Sequence, residues 1–186
     1  MTRLSDFTQS DFKALLLFSC LGFVSGLPFA LVTTTFQAWL SVTDVSITVL
    51  GLYGLASVPY GLKPLWAVAI DWLRSRCMIG FDKVYLLAVL LLSTTLLMVA
   101  AFPDPVSPMV VFSVLAACFF SATVDICVDA MRIMLVDEKL QGVVTSWFVI
   151  FYRIAFILSG ALGLVFANHV GWSALYGSMS LLMGLA

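Results

Sequence analysis

The chain is 186 residues long, 62% of them hydrophobic and only 10% charged, with a formal net charge of -1. This composition excludes a soluble globular domain and leaves no basic footprint for nucleic acid; it is that of an all-α polytopic membrane protein. Individual charges are therefore informative by position and not by sum.

Residues 1–12 read as a short polar tail. The apolar run that follows, Ala14 to Leu40, is too long for a signal-peptide core and reads as a first membrane span. In all, the hydrophobic pattern predicts six spans over residues 13–186, at about 14–40, 47–70, 84–102, 109–136, 143–167 and 172–186. In the first, Gly22 and Gly26 form a small-xxx-small pair suited to close helix contact, and Pro28 removes a backbone hydrogen bond and predicts a kink. Gln37 and Trp39, near its far end, suit an interfacial belt.

The second span is unusually polar in its lower half, where Tyr60, Lys63, Pro64 and Trp66 fall. Lys63 lies roughly 12 Å from the end of the span by helical rise, so it can either snorkel out or face a cavity. A loop from Asp71 to Lys83 carries Arg74 and Arg76. The third span is apolar except for Ser93, Thr94 and Thr95, as expected of a helix that mainly faces lipid, and Pro103 to Pro108 make a sharp break after it.

The fourth span carries the strongest functional signal. Asp125, Asp129 and Arg132 interrupt an apolar run from Met109 to Val136, and spacings of four and three put them on one side of a helix with Ser113, Ala117 and Ser121. A charge at the centre of a spanning helix costs about 2.5 to 3.5 kcal/mol even on the mildest scale, so such groups face a bundle interior or a wet cavity. Asp129 and Arg132 can equally form a local pair near the helix end. Asp125, roughly 15 Å deep, is too short to snorkel out.

Arg153, in the fifth span, lies at a similar depth. Because the turn at Asp137 to Gly142 is expected to make helices four and five antiparallel neighbours, Arg153 stands level with Asp125 and can pair with it or stand beside it to bind an anion. Ala155, Ser159 and Gly163 make a small-residue line on the same helix. The sixth span, Trp172 to Ala186, offers about 22 Å of helix against a core of about 30 Å, so the chain is expected to be part of a longer protein or a truncated product.

Arg3, Lys13, Arg74, Arg76, Lys83, Arg132 and Lys139 all fall on one side, whereas the loops around Asp44, Asp104 and His169 have no lysine or arginine; the basic side, with the amino terminus, is predicted to be cytoplasmic. Cys20, Cys77, Cys118 and Cys127 lack metal-binding spacing and read as free thiols, and His169 reads as a loop residue. No metal or cofactor is called for. Two acids on one helix, without a Gly-x-Gly-Asp or further acids, do not make an intramembrane protease or a prenyltransferase, and an enzyme is not expected.

Four ordered motifs carry a family resemblance. Gly22-Phe23-Val24-Ser25-Gly26-Leu27-Pro28 with Gln37-Ala38-Trp39-Leu40, Pro59-Tyr60-Gly61-Leu62-Lys63-Pro64-Leu65-Trp66 with Asp71, the run Ser121 to Ala130, and Tyr152-Arg153 with Ser159-Gly160-Ala161 resemble the first, second, fourth and fifth helices of the AmpG-type muropeptide permeases of the major facilitator superfamily. The resemblance implies the amino-terminal six-helix half of a transporter in which helices one and four line a central cavity and two halves rock about a midplane site. It implies proton-coupled import of anhydromuropeptides across the bacterial inner membrane, with a carboxy-terminal half in the same or another chain, and with Asp125, Asp129, Arg153, Lys63, Tyr60 and Gln37 on the solute or proton pathway. Asp71, Arg74, Arg76 and Arg132 would serve the cytoplasmic gate. Where the family usually shows an arginine and a Gly-Arg-Arg run after Asp71, this chain has Trp72 and Gly80-Phe81-Asp82-Lys83. Acetyl-CoA permeases share parts of the fourth-helix pattern, which leaves another anionic solute as the alternative, and a truncated, non-transporting half-protein is a further one.

Overall fold

The computed structural model describes residues 9–43 and 45–185, and every element among them is helical. Most of the expected tail, with Arg3, lies outside the described residues, as do Asp44 and Ala186. Helix α1 (Gln9–Ala30) passes through a π-helical turn (Leu31–Thr35) into α2 (Phe36–Ser41). A widened turn thus follows Pro28, where a kink was expected. Threonine hydroxyls donate to carbonyls of the preceding turn, Thr33 Oγ1 to that of Phe29 at 2.5 Å and Thr34 Oγ1 to that of Ala30 at 3.0 Å.

The second expected span is jointed. It consists of α3 (Ile47–Tyr53), a 3-10 turn (Gly54–Ser57), α4 (Val58–Gly61) and, beyond Leu62, α5 (Lys63–Cys77). Gly51, Gly54 and Gly61 weaken a helix here, and Pro59 and Pro64 bring no backbone donor. Helix α5 also continues through much of the expected loop, ending where Met78 adopts a left-handed conformation with φ 52°. Then follow α6 (Phe81–Ala101), α7 (Pro108–Leu135), α8 (Glu138–Ile157), a second π-helical turn (Leu158–Leu162), α9 (Gly163–Val170) and α10 (Trp172–Gly184). The start of α7 is set by Pro108 in its first turn and by Ser107, whose side chain accepts from the Val110 N–H at 3.3 Å.

Among the described residues, four helices are long and apolar enough to cross a membrane: Asp11–Ser41, Phe81–Ala101, Pro108–Leu135 and Glu138–Val170. They coincide with four of the six expected spans. The other two are the jointed run and α10, which has 13 residues.

Helices α1 and α8 run parallel and in close contact, Gly22 against Phe148 and Gly26 against Tyr152 and Ala155. Helix α6 packs between α7 and α10, and α1 also lies against α7. Although α7 and α8 follow one another in the chain, they do not pack along their length. Helix α6 turns Leu86, Leu87, Leu90, Leu97 and Met98 outward, as expected of a lipid-facing helix. Its inner face buries Val89, Leu92, Leu96 and Val99, and Ser93 exchanges hydrogen bonds with Ser180 of α10, each hydroxyl donating to the other residue's carbonyl at 2.8 Å. Trp39 departs from the interfacial expectation: it is buried and stacks on Trp172 with ring centroids 5.5 Å apart.

Candidate functional site

The fourth-span stripe turns inward. Ser113, Ala117, Ser121 and Asp125 are all buried, one helical turn apart along α7. Buried carboxylates need a partner, and Asp125 finds one across the bundle: Lys63 Nζ donates to Asp125 Oδ2. Lys63 is the first residue of α5, directly after the Leu62 joint, so the break in the second helix is what delivers the ammonium to this depth. The two side chains are unequally covered, at 28% exposure for Lys63 and 6% for Asp125.

Aromatic groups from three elements wall the pair. Lys63 Nζ sits over the Tyr60 ring, 5.1 Å from its centroid, a cation–π arrangement. Phe29 of α1 meets Tyr60 edge-on at 4.4 Å and also approaches Tyr152 and Phe156 of α8, at 6.3 and 5.7 Å. Ser25 of α1 neighbours the Asp125 carboxylate, and Ser121 neighbours the Tyr60 hydroxyl.

Below the pair lies a cavity of about 320 Å³ between α5 and α7, lined by Lys63, Asp71, Asp129, Phe81 and apolar neighbours. Its acids have local partners. Arg132 donates to Asp129 at 2.8 Å, and Arg74 stands 3.7 Å from Asp71 while its guanidinium covers the Phe81 ring at 4.3 Å. Arg132 also lies over the Phe148 ring at 4.8 Å, tying α7 to α8 at this end. Arg76 lies over Trp72 at 5.2 Å, on the outer side of α5.

The expected Asp125–Arg153 pair does not form. Arg153 is exposed and has no ion pair with Asp125. The hairpin argument assumed that α7 and α8 are lateral neighbours, but α8 packs on α1. One residue turns a helix by about 100°, and the residue that faces inward here is Tyr152. Gln37 is likewise exposed, on α2, and takes no part in the cluster. Ser25 escaped the sequence reading; its signal was the first-helix motif itself, where it lies between Gly22 and Gly26 on the tightly packed stretch.

No family model matches the chain, and no solved structure matches it. Curated relatives do. Over 166 residues, 88% of this chain, it is 31% identical to the anhydromuropeptide permease of Escherichia coli K12, covering 34% of that protein. It is 31% identical over 157 residues to the "Putative transporter AmpG 4" of Rickettsia conorii and 29% identical over 174 residues to the protein of the same name in Rickettsia felis, covering 37% and 42% of them. The chain thus spans well under half the length of these relatives. Within that span, the proteins it is similar to are AmpG-type permeases.

Proposed function

We propose that the chain forms the six-helix amino-terminal half of a secondary transporter of the major facilitator type, with residues 13–186 as the bundle and residues 1–12 as a cytoplasmic tail, and that it works with a second half in the same or another chain. Its solute is an anhydromuropeptide, moved with protons from periplasm to cytoplasm across the inner membrane. The Lys63–Asp125 pair is the coupling element: protonation of Asp125 removes the charge that holds Lys63 and frees the ammonium toward an anionic group of the solute. Asp129, Asp71, Arg74 and Arg132 form the cytoplasmic side of that path, Tyr60 guides Lys63, and Gln37 and Arg153 face the second half.

The observation that carries this reading is the ion pair between buried Asp125 and half-buried Lys63, which lines a cavity, in a chain whose relatives are named as permeases or transporters. Intramembrane ion pairs of this kind are costly and are associated with substrate or proton paths. The experiment is uptake of a labelled anhydromuropeptide by membrane vesicles containing the transporter. We expect uptake to follow an imposed proton gradient and to be lost in Asp125→Asn. Uptake unchanged by an uncoupler would remove proton coupling, and no uptake at all, with protein present in the membrane, would remove the solute.

A further inference from the structure

Most buried hydroxyls in this bundle satisfy themselves. Ser19 and Thr123 donate back to the carbonyls four residues earlier, at 2.7 and 2.8 Å, and Tyr176 donates to the Leu31 carbonyl at 2.9 Å. Ser25 and Ser121 have the same option on regular helix and do not take it. Their hydroxyl oxygens are fully covered and unpartnered among the described residues, as are the Tyr60 hydroxyl and the second carboxylate oxygen, Asp125 Oδ1.

These four oxygens converge from α1, α4 and α7. Ser121 and Asp125 are one turn apart on α7; Ser25 comes near hydrogen-bonding range of Asp125, and Ser121 of Tyr60, yet neither pair has the geometry of a hydrogen bond. Buried polar groups without protein partners are accommodated by internal water, which needs two to four polar neighbours. The chemistry suits water well: three hydroxyls can each donate or accept, and the carboxylate oxygen accepts. A metal cation suits it poorly, because the Lys63 ammonium already occupies the other carboxylate oxygen.

We propose that Ser25, Ser121, Tyr60 and Asp125 Oδ1 hold internal water, forming a hydrated polar node beside the Lys63–Asp125 pair. Lys63 lines the cavity and touches Asp125, so it adjoins both the cavity and the node. Resting on the coupling reading above, the node has a definite role. It gives Asp125 a proton-exchange route through its second oxygen while the first is held by Lys63, and Ser25 and Ser121 are positioning residues for that water.

The test is radiolytic footprinting of the full chain in lipid nanodiscs with isotopically labelled water, in which a buried side chain takes up label only from water beside it. Cys118 is fully buried and neighbours Tyr60, and it serves as the reporter; Met183, buried at 1% exposure in α10, is the dry control. With each rate normalised to the intrinsic reactivity of its side chain, we expect Cys118 to label several-fold more than Met183, and Ser25→Ala with Ser121→Val to abolish the excess while Met183 stays unchanged. Equal labelling of the two in the unmutated protein would overturn the node without any variant needing to fold. Excess labelling that survives the double substitution would overturn the role of the two serines. A wet node together with gradient-independent uptake would sink the coupling reading alone, whereas a dry node with proton-driven uptake would sink only this inference.

Discussion

A β-carbon placed on Gly22 would lie 2.6 Å from the carbonyl oxygen of Phe148, and one on Gly26 would come closer still to that of Tyr152. Both obstacles are backbone, which cannot swing aside as a side chain can. Two parallel helices are thus held at a separation that only glycine allows, four residues apart on the same face.

Gly22→Ala and Gly26→Ala are therefore expected to lower stability by about 1 to 3 kcal/mol each, the usual cost of overpacking. Gly142→Ala is the control: nothing lies within 4 Å of a β-carbon there, and alanine gains roughly 0.5 to 1 kcal/mol over glycine in a helix. Thermal unfolding of the detergent-purified protein ranks the three, and a harmless Gly26→Ala would show that α1 and α8 are further apart than described.

The π-helical turn after Pro28 depends on a distant hydroxyl. Tyr176 Oη donates to the Leu31 carbonyl, fully buried, and Thr35 Oγ1 donates to the Ser159 carbonyl in the second π-helical turn at 3.4 Å. Tyr176→Phe should cost about 0.5 to 1.5 kcal/mol, the net worth of one buried hydrogen bond, because the Leu31 carbonyl keeps the Phe36 N–H. Ser178→Ala, which removes only a bond from Ser178 to the Leu175 carbonyl on its own helix, should change the melting temperature much less. Equal effects would show that the Tyr176 bond contributes nothing particular to the turn.

Hydrophobic run lengths made the four long spans legible, and the glycine spacing made the α1 contact face legible, because both are properties of a single helix. What a single helix cannot reveal is which neighbour it meets. Asp125 was correctly read as buried, but its partner was sought in Arg153 on the next helix in the chain, whereas α1 lies against both α7 and α8. Lys63 reached the site through a joint that prolines and glycines in the second span made possible. The span was read as one helix because the hydrophobic pattern runs on through the joint.

Across the α6–α10 contact, Ser93 and Ser180 exchange two hydrogen bonds. Removing either hydroxyl breaks one bond directly and loosens the other, so the two substitutions should not add. Ser93→Ala, Ser180→Ala and the double variant are expected to give a coupling of about 0.6 kcal/mol, typical of hydrogen bonds between membrane helices and at most about 1.7. Additive losses in unfolding experiments would show that the two serines act separately.

The Lys63–Asp125 pair makes the sharpest prediction, because its two members are unequally buried. Lys63→Met leaves the Asp125 carboxylate stranded in the interior, and breaking a buried pair in this way costs about 3 to 5 kcal/mol. Asp125→Asn should cost less, since the more exposed Lys63 can turn toward the cavity that it already lines. The double variant removes the stranded charge and should be better tolerated than the sum of the singles. Arg153→Gln, at an exposed position without a carboxylate partner among the described residues, should stay within about 0.5 kcal/mol of the parent. Membrane abundance and thermal unfolding of the four variants decide the matter. Additive losses at Lys63 and Asp125 would dissolve the pair, and a large loss at Arg153 that is rescued by Asp125→Asn would restore Arg153 as the partner.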